Sequence, residues 1–173
     1  MPTDSSDSAI SDDDSGQDHE KYLLESIRMA LDNVRRCRTW PFGAVLTRRG
    51  EVIARAVNEV DALCDPSAHA EMQAVRAAAK ALGTTDLRGC TVYASGYPCP
   101  MCLTAMYLAG VTSVYYAYSN EDGEPYDLSA TRGYAEIARP LPEREMPLIR
   151  LPVRAEGEDL YEAWRRIAER AGM

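Results

Sequence analysis

The sequence predicts an α/β fold, a three-layer α/β/α sandwich around a mixed five-stranded sheet. Three observations predict it. Short runs of β-branched and aromatic residues alternate with segments of helical periodicity, the pattern of strands joined by helices. No apolar run approaches the roughly 20 residues that cross a bilayer, so a soluble protein is expected. The 173 residues suit one domain of this size, and no internal repeat divides them.

The elements follow in order. Lys21 to about Arg36 reads as a helix, with Tyr22, Leu23, Ile27, Ala30, Leu31 and Val34 at helical spacing. Pro41 to Leu46 begins a strand, Arg49-Gly50 makes a turn, and Val52 to Val57 returns as the second arm of a hairpin. Asp65-Pro66-Ser67 opens the next helix, with Ser67 as N-cap and His69 on the first turn, and the helix runs to Gly83. Thr91 to Ser95 is a short buried strand, Pro100 to Ala109 a helix, and Ser113 to Tyr118 another strand. A loop rich in acids, Gly and Pro (Asn120 to Pro125) precedes a short helical stretch around Thr131 to Ala138. Leu148 to Val153 reads as a last strand at the sheet edge, because Pro152 has no N–H to donate. The final helix sets Leu160, Trp164, Ile167 and Ala168 on one face, with Trp164 turned to the core.

The net charge of −8 is concentrated at one end. Residues 1–20 carry seven acids and no Lys or Arg; the other 20 acids face 19 basic residues. Residues 1–19 are therefore expected to be a disordered acidic tail, and 20–173 a folded domain of nearly balanced charge. That balance gives no general attraction to a phosphate backbone, so nucleic acid is not an expected partner. The absence of a basic-then-apolar leader and of long apolar runs predicts a cytoplasmic protein with no membrane association. Of five cysteines, Cys37, Cys64 and Cys90 are expected to be reduced, buried thiols rather than a disulfide framework.

The chemistry lies in His69-Ala70-Glu71 and Pro98-Cys99-Pro100-Met101-Cys102. Cysteines three apart on the first turn of a helix put both sulfurs on one face. The helix N-terminus favours the thiolate, the form that binds zinc. One imidazole and two thiolates neutralise Zn2+ and leave a fourth tetrahedral position open, as in catalytic rather than structural sites. Glu71 is near enough to move protons for a water at that position without being a ligand. The rival readings are a redox dithiol or a closed structural zinc site with Cys64 or Cys90 as fourth ligand. Neither predicts His-x-Glu at a helix start.

His-x-Glu … Pro-Cys-x-x-Cys is the signature of zinc nucleobase deaminases. The chain resembles the cytidine deaminase superfamily and, within it, the guanine deaminase branch, from about Tyr22 to Arg170. Pro41-Phe42-Gly43-Ala44, Asn58, Asp65 to Glu71, Pro98 to Cys102, Pro142 to Glu145 and Ala163-Trp164-Arg165 carry the resemblance. It implies a cytidine deaminase-like fold and one catalytic zinc per chain, held by His69, Cys99 and Cys102. It also implies hydrolytic loss of ammonia from a small aminated ring, and a homodimer. Guanine deaminases exchange C-terminal segments between subunits, and the Trp164 helix is the segment that would exchange here. Asn58 resembles the family's substrate-holding Asn, whose amide both donates and accepts. The backbone N–H of Ala70 is a matching donor. Phe42 would stack on the ring, with an ordinary core position as its rival.

Departures from the branch cluster around the expected pocket. Gly96-Tyr97 stands where the branch usually has Cys-Glu, and Leu108 where it often has Trp. Tyr126-Asp127-Leu128 replaces a Phe-Asp-Asp loop, apparently with one acid fewer, and Ala171-Gly172-Met173 ends the chain where the branch can supply a Tyr. Tyr97, Leu108, Asp127 and Glu143 are thus candidate substrate contacts. Partners for guanine's N–H groups carry much of such a site's selectivity, so their loss predicts the same chemistry on another ring. The candidates are isocytosine, cytosine, 5-azacytosine, an aminated s-triazine or a modified purine, with guanine itself as the alternative. A tRNA adenosine deaminase shares both motifs; the missing Glu before Pro98, the acidic tail and the absence of a basic C-terminal helix weigh against it. A zinc-stabilised interaction domain without activity is the reading from a different class.

Overall fold

The computed structural model describes residues 16–37, 39–154 and 156–172. The chain divides into two units, Met1–Ile137 and Ala138–Met173, where the sequence predicted one domain over 20–173.

In the first unit, helix α1 (Gly16–Cys37) precedes strands β1 (Gly43–Arg48) and β2 (Glu51–Val57). Helix α1 begins within the stretch 1–19 expected as an acidic tail. The imidazole of His19 stacks on Tyr115 at 4.1 Å and its Nδ1 lies 2.9 Å from the Tyr93 hydroxyl, which anchors the first turns of the helix. The remainder of the predicted tail, residues 1–15, lies outside the described residues. Arg49 and Gly50 join β1 to β2 with φ of 52° and 76°, the pair of positive values that a type I′ turn requires.

A short helix α2 (Val60–Leu63) leads to α3 (Ala70–Leu82), which ends on Gly83 at φ 65°. Strand β3 (Cys90–Gly96), helix α4 (Pro100–Leu108) and strand β4 (Ser113–Tyr118) form a βαβ crossover, because β3 and β4 are parallel. Both other pairings are antiparallel, and the strand order is β2-β1-β3-β4. Helices α5 (Asn120–Gly123) and α6 (Thr131–Ala138) follow, the first in place of the predicted loop.

Strand alternation sorts the core into two sides. Val45 and Tyr93 pack with Tyr22 of α1 on one face. Ala44, Leu46 and Val92 pack with Ala74 and Ala78 of α3 and Met106 of α4 on the other. The expected three-layer α/β/α sandwich with a mixed sheet is present. On the α1 side the backbones come very close: a Cβ on Gly43 would overlap the Ser26 carbonyl oxygen. Glycine is therefore required where α1 crosses β1.

The sheet has four strands, not five. Leu148 to Val153, in the second unit, is irregular, with exposed side chains and one local hydrogen bond from Val153 N to Leu151 O at 2.8 Å. Pro152 withholds a ladder donor there. The second unit otherwise holds a 3-10 turn over Leu141–Glu143 and helix α7 (Leu160–Ala171), capped by Asp159 Oδ1 accepting from the N–H groups of Tyr161 and Glu162. Leu160, Trp164 and Ile167 are exposed, contrary to the core orientation expected of Trp164. Among the described residues no helix is long and apolar enough to cross a membrane.

Candidate active site

Two helix starts supply the metal donors. His69 is the N-cap of α3 and Cys99 the N-cap of α4, both with extended backbone, and Cys102 lies on the first turn of α4. The expected cap, Ser67, is engaged elsewhere. Its N–H and hydroxyl both donate to Asp65 Oδ1, at 2.8 and 2.7 Å, which closes a turn before the helix begins. His69 Nδ1 lies 3.6 Å from Cys99 Sγ and 3.7 Å from Cys102 Sγ, and the two sulfurs are 3.6 Å apart. Tetrahedral zinc, with bonds of about 2.3 Å to sulfur and 2.0–2.1 Å to nitrogen, requires sulfur–sulfur spacings of about 3.8 Å and sulfur–nitrogen spacings of about 3.5 Å. The triangle has zinc's dimensions. It offers three protein donors, so a fourth position is free for solvent or substrate.

The electrostatics suit a cation. Hydrogen bonding with Cys102 and with His69 holds the Cys99 thiol well below the usual range. The same hydrogen bond and burial push Cys102 up. The contact with Cys99 raises His69. Three donors drawn together around shared protons are a set that a divalent metal would deprotonate. Glu71 is 6% exposed, and its Oε2 lies 3.7 Å from Cys102 Sγ. Burial raises its carboxyl above the ordinary carboxylate value, as suits a group that must both take and return a proton.

His69, Glu71 and Cys99 open into a cavity of about 310 Å3 that Asn58, Phe42, Tyr97 and Asp127 also line. Asn58 is 3% exposed, and its Oδ1 accepts from the Val60 N–H at 3.2 Å, which fixes the amide plane. Tyr97 is held edge-on by Tyr116 and Tyr134, at 4.9 and 5.7 Å between ring centres. Asp127 has φ 59°, a left-handed backbone that Asp tolerates better than most residues. The N–H of Ala70 is one of the free donors at the start of α3.

Residues 16–118 match the family described as the cytidine and deoxycytidylate deaminase zinc-binding region. The chain belongs to this deaminase family. Deaminases of this kind are hydrolases of C–N bonds, and the His69, Cys99 and Cys102 triangle fits the zinc they bind. The chain is similar to guanine deaminase of Bacillus subtilis, 37% identical over 152 residues that make up 88% of this chain and 97% of that protein. The crystal structure of the Bacillus subtilis guanine deaminase superposes with a TM-score of 0.80 at 37% identity, covering 86% of this chain and 94% of that one. The tRNA-specific adenosine deaminase of Bacillus subtilis is 40% identical over 104 residues, but these are 60% of this chain and 64% of that protein.

Two of the deaminase's expected substrate contacts are not brought to the cavity within the first unit. Leu108 lies six residues past Cys102, so it is turned by about 240° and displaced about 9 Å along the helix. It is 77% exposed. Glu143 is exposed in the 3-10 turn of the second unit. Conversely, Trp40, Val60, Ser129 and Ala130 line the cavity without having been singled out, and Pro66 and Leu128, noted only as parts of longer motifs, line it too. Trp40 adjoins the Pro41 to Ala44 motif, and that adjacency was the available signal. Among the described cysteines all are free thiols; Cys90 is buried as expected, whereas Cys64 is exposed at the end of α2 with φ 49°. The side chain of Cys37 lies outside the described residues.

Proposed function

We propose that the chain is a zinc-dependent deaminase of a free guanine-type base, releasing ammonia. One observation carries the reading: a buried carboxyl, Glu71, adjoins the His69, Cys99 and Cys102 triangle at the wall of a cavity large enough for a free base. Similarity to guanine deaminase along nearly its whole length supports it. Asp127 supports it too, because the loop that seemed to lose acid keeps a carboxylate on the cavity wall.

Bound zinc supplies Lewis acidity, lowering the pKa of water toward about 7. The protein's residues do the remainder. Glu71 takes one proton from water as its oxygen joins the amine-bearing ring carbon and passes it to the ring nitrogen. It then takes the second from the new hydroxyl and passes it to the departing amine, so a C–NH2 group and water become a C=O group and ammonia. Asn58 Nδ2 and the Ala70 N–H donate to acceptors on the ring, and Asp127 accepts from ring N–H groups. Phe42 lies against the ring face, and Tyr97 closes one side.

A second reading, favoured by Tyr97 standing on the wall where a carboxylate would offer another acceptor, retunes the site to isocytosine, cytosine, 5-azacytosine, an aminated s-triazine or a modified purine. The same proposal includes a cytoplasmic homodimer with exchanged C-terminal segments, supported by the exposed apolar face of α7 and the exposed tyrosines of β4. The test is ammonia release from zinc-loaded protein with guanine, each alternative base and tRNA. Guanine turnover abolished in Glu71→Gln is expected. Turnover of another free base alone selects the second reading, and turnover of tRNA alone overturns both.

A further inference from the structure

Beside the catalytic cavity lies a second one of about 390 Å3. Phe42, Tyr97 and Leu128 line both, so these three side chains are a common wall rather than the far boundary of either space. The second cavity is also lined by Ile27, Ala30 and Leu31 of α1 and by Tyr118 and Tyr126.

Its polar lining residues are largely committed to the protein. Ser95 Oγ accepts from the Gly43 N–H at 3.0 Å. Ser119 and Asp122 close a reciprocal cap at the start of α5. Asn120 Oδ1 accepts from the Ala130 N–H at 2.8 Å. With those acceptors engaged, the surface left to a ligand is chiefly aliphatic and aromatic. A charged or heavily hydrogen-bonding group would lose its water there without replacement. A glycine stands at the common wall. A Cβ on Gly96 would stand 2.8 Å from Phe42 Cε1, so the missing side chain is what allows the Phe42 ring to lie against the backbone at the partition.

We propose that the second cavity is a specificity subsite for an apolar substituent, alkyl or aryl, on the amino-heterocycle whose amine is hydrolysed. The ring occupies the catalytic cavity, and its substituent passes the Phe42–Tyr97–Leu128 wall to rest against α1. The inference depends on the proposed free-base activity, and the chemistry at the amine carbon is unchanged.

The test compares the best free-base substrate with its own butyl and benzyl derivatives, substituted away from the reacting amine. Turnover is followed in wild type, Leu31→Trp and Ile27→Phe, and binding of the derivatives is measured separately by calorimetry. Leu31 is 46% exposed, so the Trp variant can fill the cavity from its rim; melting curves and zinc content confirm that each variant is folded. The expected result is that kcat/KM for the derivatives falls at least tenfold in the filled variants, while kcat/KM for the bare ring stays within twofold. Derivatives that are excluded by wild type, or that lose no more than the bare ring in both variants, overturn the subsite and leave the free-base activity standing. If no ring is turned over, the functional reading fails, and calorimetry decides the cavity alone. Binding of the benzyl derivative that Leu31→Trp weakens tenfold supports it, and binding that is absent or unchanged overturns it.

Discussion

The carboxyl of Glu71 meets the sulfur of Cys102 at 3.7 Å, inside the protein rather than at its surface. A carboxyl so placed is costly to ionise and has no packing role that an amide could not fill. Glu71→Gln is therefore expected to keep fold and zinc while losing about 10²–10⁴ in kcat. Metal content, a melting curve and an ammonia assay on the same sample check this. Retained turnover would remove Glu71 from the chemistry.

Chelation is expected to abolish turnover without unfolding the chain. The donors are positioned by α3, α4 and the core between them, so apo protein should keep its far-ultraviolet spectrum but melt at a lower temperature, as loss of a ligand specific to the native state requires. Zinc should restore both properties, and should restore neither in Cys102→Ser. A random-coil spectrum after chelation would contradict the reading.

Asn58→Asp isolates the amide donors. The variant keeps an Oδ1 to accept from the Val60 N–H but loses both N–H groups of Nδ2. Loss of about 1–3 kcal/mol of transition-state binding, roughly 5- to 150-fold in kcat/KM, is expected with little change in stability. Equal losses in stability and in kcat/KM would make the residue structural only.

Tyr134 donates its hydroxyl proton to the Pro98 carbonyl at 2.8 Å, and burial pushes its phenol up to about 12 from 10.0. Since the folded value is the higher, the unfolded chain ionises first on raising the pH. The stabilisation from this group is complete below pH 10.0 and drains away towards pH 12. Urea unfolding should find Tyr134→Phe about 1 kcal/mol weaker than wild type at pH 8, with the gap closing through that window. A gap that is constant or widens would be the contrary result.

Gly43→Ala should destabilise by about 1–3 kcal/mol, because its Cβ meets main chain rather than a movable side chain. A urea midpoint unchanged within error would show that α1 can lift from β1 at no cost.

Where side-chain chemistry and short-range periodicity decide the outcome, the sequence was a sufficient guide. The hairpin turn at Arg49-Gly50, the alternation of Ala44, Val45 and Leu46 and the termination of α3 at Gly83 follow from local rules, whereas the convergence of His69, Cys99 and Cys102 was carried by their motif, since residues thirty apart meet only through tertiary packing. The departures have separate causes. Ser67 has the composition of a cap, but Asp65 takes its hydroxyl, and the helix starts later. Leu148 to Val153 has strand composition, but pairing depends on a neighbouring edge that no local pattern specifies. The Ser119–Asp122 cap was readable as Ser-x-x-Asp, and the surrounding Gly and Pro obscured it. Leu108 was named from resemblance to the guanine deaminase branch, and helix geometry turns it away from Cys102 within its own helix.

His69 and Cys99 each occupy the last extended position before a helix, and their backbones are set by the chain on both sides. The donors thus hang from main chain that the hydrophobic core also holds, so protein made without zinc is expected to be folded and idle, and to start work once the ion is supplied.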